Sequence, residues 1–340
     1  MGDSNLNKYG DLSREQAGFL KAKLLDRGQH LMVTERFGQV DPHQKNKTKT
    51  INWRRYHSLP RATAPLAEGI PPQGRKLTFT DITLTLEQYG DAVQYSDVVL
   101  DTHIDAISDV ASNACSEQIA ETVEEIRINT LKAGSNVFYA NSAAGRSTVN
   151  SPPTRGDFRR IYRYFKKYKG REISEIIKAS AKISTEAVDP AYFVMGHTDL
   201  DSDIRGISGF IPWKDYSNSD KRLPGEIGAI EQFRIILTAM FDPWTTAGLT
   251  GTTYLSGGVA VSSTAQCDVY PLICVARDAY GIVALQGQNV VTPAVVSPKP
   301  QVGDMLGQIG FVSWKTMQGC IILNHNWLAR LECAATANPS

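Results

Sequence analysis

Three stretches of this chain bring together side chains whose types and spacing could do chemistry. In HTDLDSD, His197 to Asp203, one imidazole and three carboxylates alternate as in a metal-binding loop. An EF-hand loop needs Gly at its sixth position and Glu at its twelfth, and counting from Asp199 those positions hold Ile204 and Phe210. The stretch reads better as a surface turn entering the helix-like DLDSDIRG. The glycine-rich GLTGTTYLSGG has no lysine placed to meet a phosphate and fits neither a P-loop nor a dinucleotide fingerprint. No Ser or Cys sits in a GxSxG elbow, and the histidines are scattered. Neither catalysis nor a bound metal or cofactor is expected.

The third stretch, RRIYRYFKKYKGR, interleaves basic and aromatic residues as single-strand nucleic-acid binders do. Its candidate nucleic-acid-facing residues are Arg159, Arg160, Arg163, Lys166 and Lys167. The same pattern also makes an amphipathic helix that buries Ile161 and Phe165 and leaves its cations in water. That reading is preferred, with nonspecific contact kept as the alternative, because phosphate attraction needs only positive charge.

The elements that would position these residues follow from periodicity. Ser13 and Gln16 have capping-box spacing ahead of Ala17, Leu20 and Leu24, which predicts a helix from about Arg14 to Asp26. Pro60, Pro65, Pro71 and Pro72 forbid regular structure over much of the segment that follows TINWRRY. Leu77 and Phe79, then Ile82, Leu84 and Leu86, alternate with polar residues, and the two runs fall out of phase at Asp81. A bulge or a change of strand partner is expected there. Ile104, Ile107, Ala111, Cys115, Ile119, Val123, Ile126 and Thr130 recur at helical steps, predicting one helix over 102–133 with Asp101 as N-cap and Gly134 as a left-handed C-cap. Short strands follow in AYFVMGH, QFRIILTAM, VYPLICVARDAY and GIVALQG. IGFVSWKTM, GCIILN and NWLARLECAA read as adjacent antiparallel strands. Without a βαβ rhythm, the class is α+β.

Composition is that of an ordinary folded protein: 340 residues, 42% hydrophobic, 21% charged, with a formal net charge of +1. No apolar run nears the roughly 18 residues of a spanning helix, so no membrane role is expected. MGDSNLNKYGDLSREQ lacks the apolar core of a signal peptide, and the odd number of cysteines predicts buried thiols in a reducing compartment. Residues 1–77 carry an excess of Lys and Arg, whereas 101–125 hold seven carboxylates and no Lys or Arg. These are either solvated faces or a basic arm of one copy lying on an acidic helix of another.

The order of parts, with the blocks WRRYHSLPRATAPLAEGIPPQG, ITLTLEQYGDAVQYSD, GEIGAIEQFRIILT, DVYPLICVARDAYG and GDMLGQIGFVSWKTMQGCIILNHNWLARLE, resembles the major capsid proteins of tailed bacteriophages, in particular those typified by the N-four-like podophages. The resemblance runs from about residue 16 to residue 333. It implies the bacteriophage–herpesvirus capsid fold: an N-terminal arm over 1–50, an extended loop (β-hairpin) over 51–98, a peripheral domain over 99–185 and 304–340 carrying the spine helix 102–133, and an axial domain over 186–303. It also implies a non-enzymatic structural protein of the virion, assembled in the host cytoplasm as hexamers and pentamers into an icosahedral head around double-stranded DNA. Portal and scaffolding proteins, and a decoration protein, are the further partners it suggests. Thr198 stands where relatives often carry Pro, a change expected to be harmless in a turn.

An isolated two-stranded loop is marginal in water, so its apolar side should find cover on a neighbouring subunit. The expected inter-subunit contacts are Trp53, Arg54, Arg55, Leu77, Phe79, Ile82, Leu84 and Leu86 on the loop, and Glu117, Glu121, Glu124 and Glu125 on the spine helix. On this reading, removing residues 1–50 leaves soluble protein that fails to form closed shells, and Leu84→Asp blocks assembly without unfolding the axial domain.

Overall fold

The structure, a computed structural model, describes residues 32–41, 49–63, 65, 69, 74–102, 107–178, 184–215, 222–251, 253–260, 265–283, 291–300 and 305–337. The helix expected over 14–26 lies outside these residues.

A single 3-10 turn (Thr34–Arg36) leads into β1 (Gln39–Asp41), β2 (Thr50–Tyr56), β3 (Phe79–Thr85) and β4 (Glu87–Ser96). Helices α1 (Asp97–Thr102) and α2 (Ile107–Lys132) follow, then β5 (Val137–Tyr139), α3 (Arg155–Lys167), β6 (Ile173–Lys178), β7 (Ser184–Gly196), α4 (Asp201–Arg205), β8 (Phe210–Pro212), β9 (Glu226–Ile230) and β10 (Phe233–Leu237). The two-residue strands β11 (Thr250–Gly251), β12 (Leu255–Ser256), β13 (Val259–Ala260) and β14 (Ala265–Gln266) form small hairpins. The chain then closes with β15 (Tyr270–Val275), β16 (Tyr280–Val283), β17 (Val291–Val296), β18 (Ile309–Gln318), β19 (Cys320–Ile322) and β20 (Leu328–Cys333).

The main sheet runs β5-β20-β15-β7-β10-β9-β8, with β6 paired to β7. Most of its pairs are antiparallel, while β10–β7 and β20–β5 are parallel. Both faces are covered, which is why β10, β15 and β20 are buried along their whole length and β10 and β15 read as apolar runs. Side chains alternate across it with period two. Tyr192, Val194, Leu272 and Cys274 face α3, which lays down Phe158, Ile161 and Phe165. Phe193, Met195, Ile273 and Val275 face the other way, against Ile128 and Leu131 at the end of α2. Each large side chain so enclosed contributes about 1.5–3 kcal/mol.

Helix α2 joins this sheet to a second body. Its 26 residues extend roughly 39 Å at 1.5 Å per residue. The first half packs Ala111, Cys115, Ile119 and Val123 on Tyr95, Val312 and Trp314 of the three-stranded sheet β17-β18-β4. At its end the buried line runs through Ile128 and Leu131, whereas Ile126 and Thr130 of the predicted stripe are only half-buried. A straight helix drifts relative to a fixed repeat, so the buried stripe moves round the cylinder over this length.

Several expectations need correction. The helix expected over 102–133 is described as α1 up to Thr102 and as α2 from Ile107, and Asp101 lies inside α1 instead of standing ahead of a helix as its N-cap. Gly134 is not left-handed, being absent from the positive-φ residues. Its value is close approach, since a Cβ there would meet Leu328 Cδ2 at 2.5 Å. Residues 87–96 are a ten-residue strand registered on β18 from Glu87↔Gln318 to Ser96↔Ile309. The strand does change partners, but at Leu86, while β2–β3 pairing passes through Arg54↔Asp81 without a shift. Finally, β18, β19 and β20 are not adjacent. They enter three different sheets, pairing with β17 and β4, with β16, and with β15 and β5.

Candidate functional site

The two-stranded arm β2–β3 is held at one end and bare at the other. Near its root Trp53, Leu84 and Leu86 pack with Val283 and Leu323. Leu86 is fully enclosed, and the indole of Trp53 lies against Gly281, where a Cβ would come within 2.9 Å of the ring. Trp53, Leu84 and Leu86 are thus covered by their own chain, contrary to the expectation that a neighbour must cover them, and Ile82 is partly so. The cover comes from β16 and the loop after β19, about 200 or more residues later, which no local pattern announces.

Farther out, Tyr56, Leu59, Leu77 and Phe79 are 60%, 52%, 58% and 50% exposed. Arg54 stands directly across from Asp81 and donates to it at 2.7 Å, with its guanidinium 4.3 Å from the Phe79 ring centroid. This hydrogen bond holds the Asp81 carboxyl below the usual carboxylate range. Opposite charges directly across a ladder favour its register, which accounts for the absence of a bulge at Asp81. Arg55 reaches back to the carbonyl of Leu323 at 3.4 Å.

The acidic side chains of α2 divide. Glu121 and Glu125 are exposed and Glu117 is half-buried. Glu124 is fully buried and is no surface contact. Its carboxylate accepts the amide N–H groups of Val33 and Thr34 and the Thr34 hydroxyl. Burial nonetheless raises its pKa, outweighing Arg127 and these hydrogen bonds. Arg127, also buried, pairs with Glu35 at 3.3 Å and donates to the Val283 carbonyl at 2.8 Å. The Tyr280 hydroxyl completes the cluster by donating to the Thr34 carbonyl. Sequence reasoning missed Thr34, Glu35 and Arg127. The available signal was a charged residue, Arg127, at the step where the apolar stripe continues.

On α3, Asp157 accepts the Thr154 amide at 3.0 Å and its hydroxyl at 2.7 Å, fixing the helix start. Arg155 and Arg159 share Glu231, Arg160 pairs with Asp157, and Lys166 pairs with Glu172. Arg163 and Lys167 point to solvent, with Lys167 near the Tyr168 ring. In HTDLDSD the carboxylates serve the fold: Asp199 accepts the Tyr270 hydroxyl, Asp201 pairs with Arg205, and Asp203 accepts the Thr336 amide. The cysteines are all buried, and enclosure pushes the Cys320 thiol up to about 12.

Residues 80–312, more than half of the chain, match the family model described as phage capsid protein. The chain belongs to the phage capsid protein family. A curated relative, the major capsid protein of Pseudomonas phage KPP21, is 24% identical over 267 residues, covering 74% of this chain. That match spans 66% of the relative's own length, a little under two thirds. Among solved structures, the capsid of Ralstonia phage GP4 superposes with a TM-score of 0.63 at 10% identity, over 90% of this chain and 92% of that one. The capsid of cyanophage Pam1 gives 0.61 at 12% identity, over 92% and 93%. The α+β arrangement described above is therefore the tailed-phage major capsid fold.

Proposed function

We propose that this chain is a major capsid subunit, a structural protein that assembles with copies of itself into an icosahedral head enclosing double-stranded DNA. The observation that carries the reading is the outer part of the β2–β3 arm, where Tyr56, Leu59, Leu77 and Phe79 stand in solvent on a chain of the capsid family. A two-stranded ribbon with such a face is marginal alone and becomes stable when another copy covers it. Contacts of this obligate kind bury about 2,000 Å² or more, and heterologous contacts that close produce rings such as pentamers and hexamers.

Within this reading, residues 1–50 act as the arm, 51–98 as the extended loop, 99–185 with 304–340 as the peripheral domain, and 186–303 as the axial domain. The main sheet takes strands from both of the last two. The subunit has no catalytic activity. It is a virion component assembled in the host cytoplasm, with portal, scaffolding and decoration proteins as partners, and its subgroup is the N-four-like one. Glu121 and Glu125 steer neighbouring copies by charge. Negative-stain microscopy of the purified full-length chain tests the proposal. Closed shells or curved sheets of rings are expected, and a protein that stays monomeric at every concentration and salt tried would overturn it.

A further inference from the structure

A crevice of about 350 Å³ runs between the β2–β3 arm and the segments that follow α3, β15 and β19. Arg55, Lys169, Arg171 and Arg277 line it, with Asp278 as the carboxylate among its lining residues. The wall is built by the fold: the Arg277 amide donates to the Arg171 carbonyl at 2.9 Å, and the Trp327 indole donates to the Tyr168 carbonyl at 3.1 Å. Arg277 lies 3.6 Å from Glu175 and 3.7 Å from Asp278. Arg55, Lys169 and Arg171 have no ion-pair partner among the described residues. This differs from α3 next door, where Arg155, Arg159, Arg160 and Lys166 are all paired. Three unpaired cations against one already engaged carboxylate in a concave wall focus a positive potential that an anion relieves.

Aromatic faces decide which anion. Tyr56 and Tyr168, 60% and 39% exposed, line the same opening, with Trp327 beside them. Acidic peptide side chains gain little from such rings, whereas nucleobases stack on them for about 1–3 kcal/mol each. The volume is at the low end of the roughly 300–1,000 Å³ of small-molecule sites, enough for a nucleotide and too small for a duplex. We propose that this crevice binds a single nucleic-acid strand, its phosphates on Arg55, Lys169 and Arg171 and a base on the Tyr56–Tyr168 side. The proposal does not depend on shell formation.

The test is fluorescence anisotropy of a labelled ten-nucleotide oligothymidylate with the unassembled full-length chain, across a salt series. Binding that weakens with salt is expected. The combined change Arg55→Ala, Lys169→Asn and Arg171→Ala should lower affinity by about tenfold or more and reduce the salt slope by about 2. Lys214→Ala with Lys315→Ala, exposed and outside the crevice, should leave affinity within about twofold. Circular dichroism checks that each variant is folded, and Arg171→Lys alone should retain most of the binding. Unchanged affinity in the triple variant overturns the proposal. So does equal or tighter competition by polyglutamate, which makes the crevice a site for acidic protein segments, or equal binding of a duplex of the same length.

Discussion

Thr34 gives both its amide and its hydroxyl to the buried carboxylate of Glu124, at 2.9 and 2.6 Å, across 90 residues of chain. With Val33 and Phe37 in the core beside it, the segment just before β1 is part of the subunit's own interior. Glu124→Ala strands buried donors that cost about 1–3 kcal/mol each, so urea denaturation of the unassembled subunit should show a loss of at least about 2 kcal/mol. Glu124→Gln keeps an acceptor for the amides and should cost less. Equal stability of wild type and the Ala variant would remove the anchoring role. By the same geometry, removing residues 1–50 should destabilise the subunit, contrary to the sequence expectation.

The raised pKa of Glu124 gives this anchor a pH dependence. A carboxyl that titrates higher in the fold than in the unfolded chain adds stability that is fully present below its unfolded value, about 4.3. That contribution is lost as pH rises through the folded value. Arg127, Arg36, Glu35 and Tyr280 face the group, and Glu124→Gln leaves them in place. Wild-type stability minus that of Glu124→Gln, followed by denaturation at stepped pH, should therefore grow on acidification. A difference that shrinks toward low pH would contradict the sign.

Root and outer part of the β2–β3 arm should respond differently. Leu86→Ala removes an enclosed side chain and should cost about 2–5 kcal/mol in the isolated subunit. Leu84→Asp should unfold the same corner, instead of blocking assembly alone. Phe79→Ala and Leu77→Ala change exposed positions and should leave subunit stability within about 0.5 kcal/mol while reducing light scattering from assembly. Full assembly by both outer variants would show that this face is not a contact.

Reversal of Glu121 and Glu125 to Lys leaves the interior untouched, since both side chains are exposed. Subunit stability should change by less than about 0.5 kcal/mol. Assembly rate should fall more at low salt than at high salt, because exposed charges are screened over about 10 Å at 0.1 M. Rates insensitive to salt would mean that these carboxylates are merely solvated.

Arg127 is enclosed with Glu35 and Glu124. Arg127→Ala leaves buried carboxylates uncompensated and should cost about 3–5 kcal/mol by denaturation. Arg127→Lys keeps the charge but loses the forked reach to Glu35 and Val283, so it should fall between wild type and Ala.

What the sequence settled by itself was local. Helical spacing marked Ile161 and Phe165 as the inner face of α3, and alternation marked Leu84 and Leu86 as facing away from water. These follow from backbone periods of 3.6 and 2, which depend on neighbours a few residues away. The family itself was also legible, in blocks whose order survives low identity. Tertiary structure alone decided who covers each face. Val283 and Leu323 shelter Leu84, Thr34 occupies Glu124, and three consecutive C-terminal strands part into three sheets. A pattern of apolar and charged positions states that a side chain needs a partner. Which one it meets depends on loop closures over hundreds of residues, and these are fixed by the fit of the whole core.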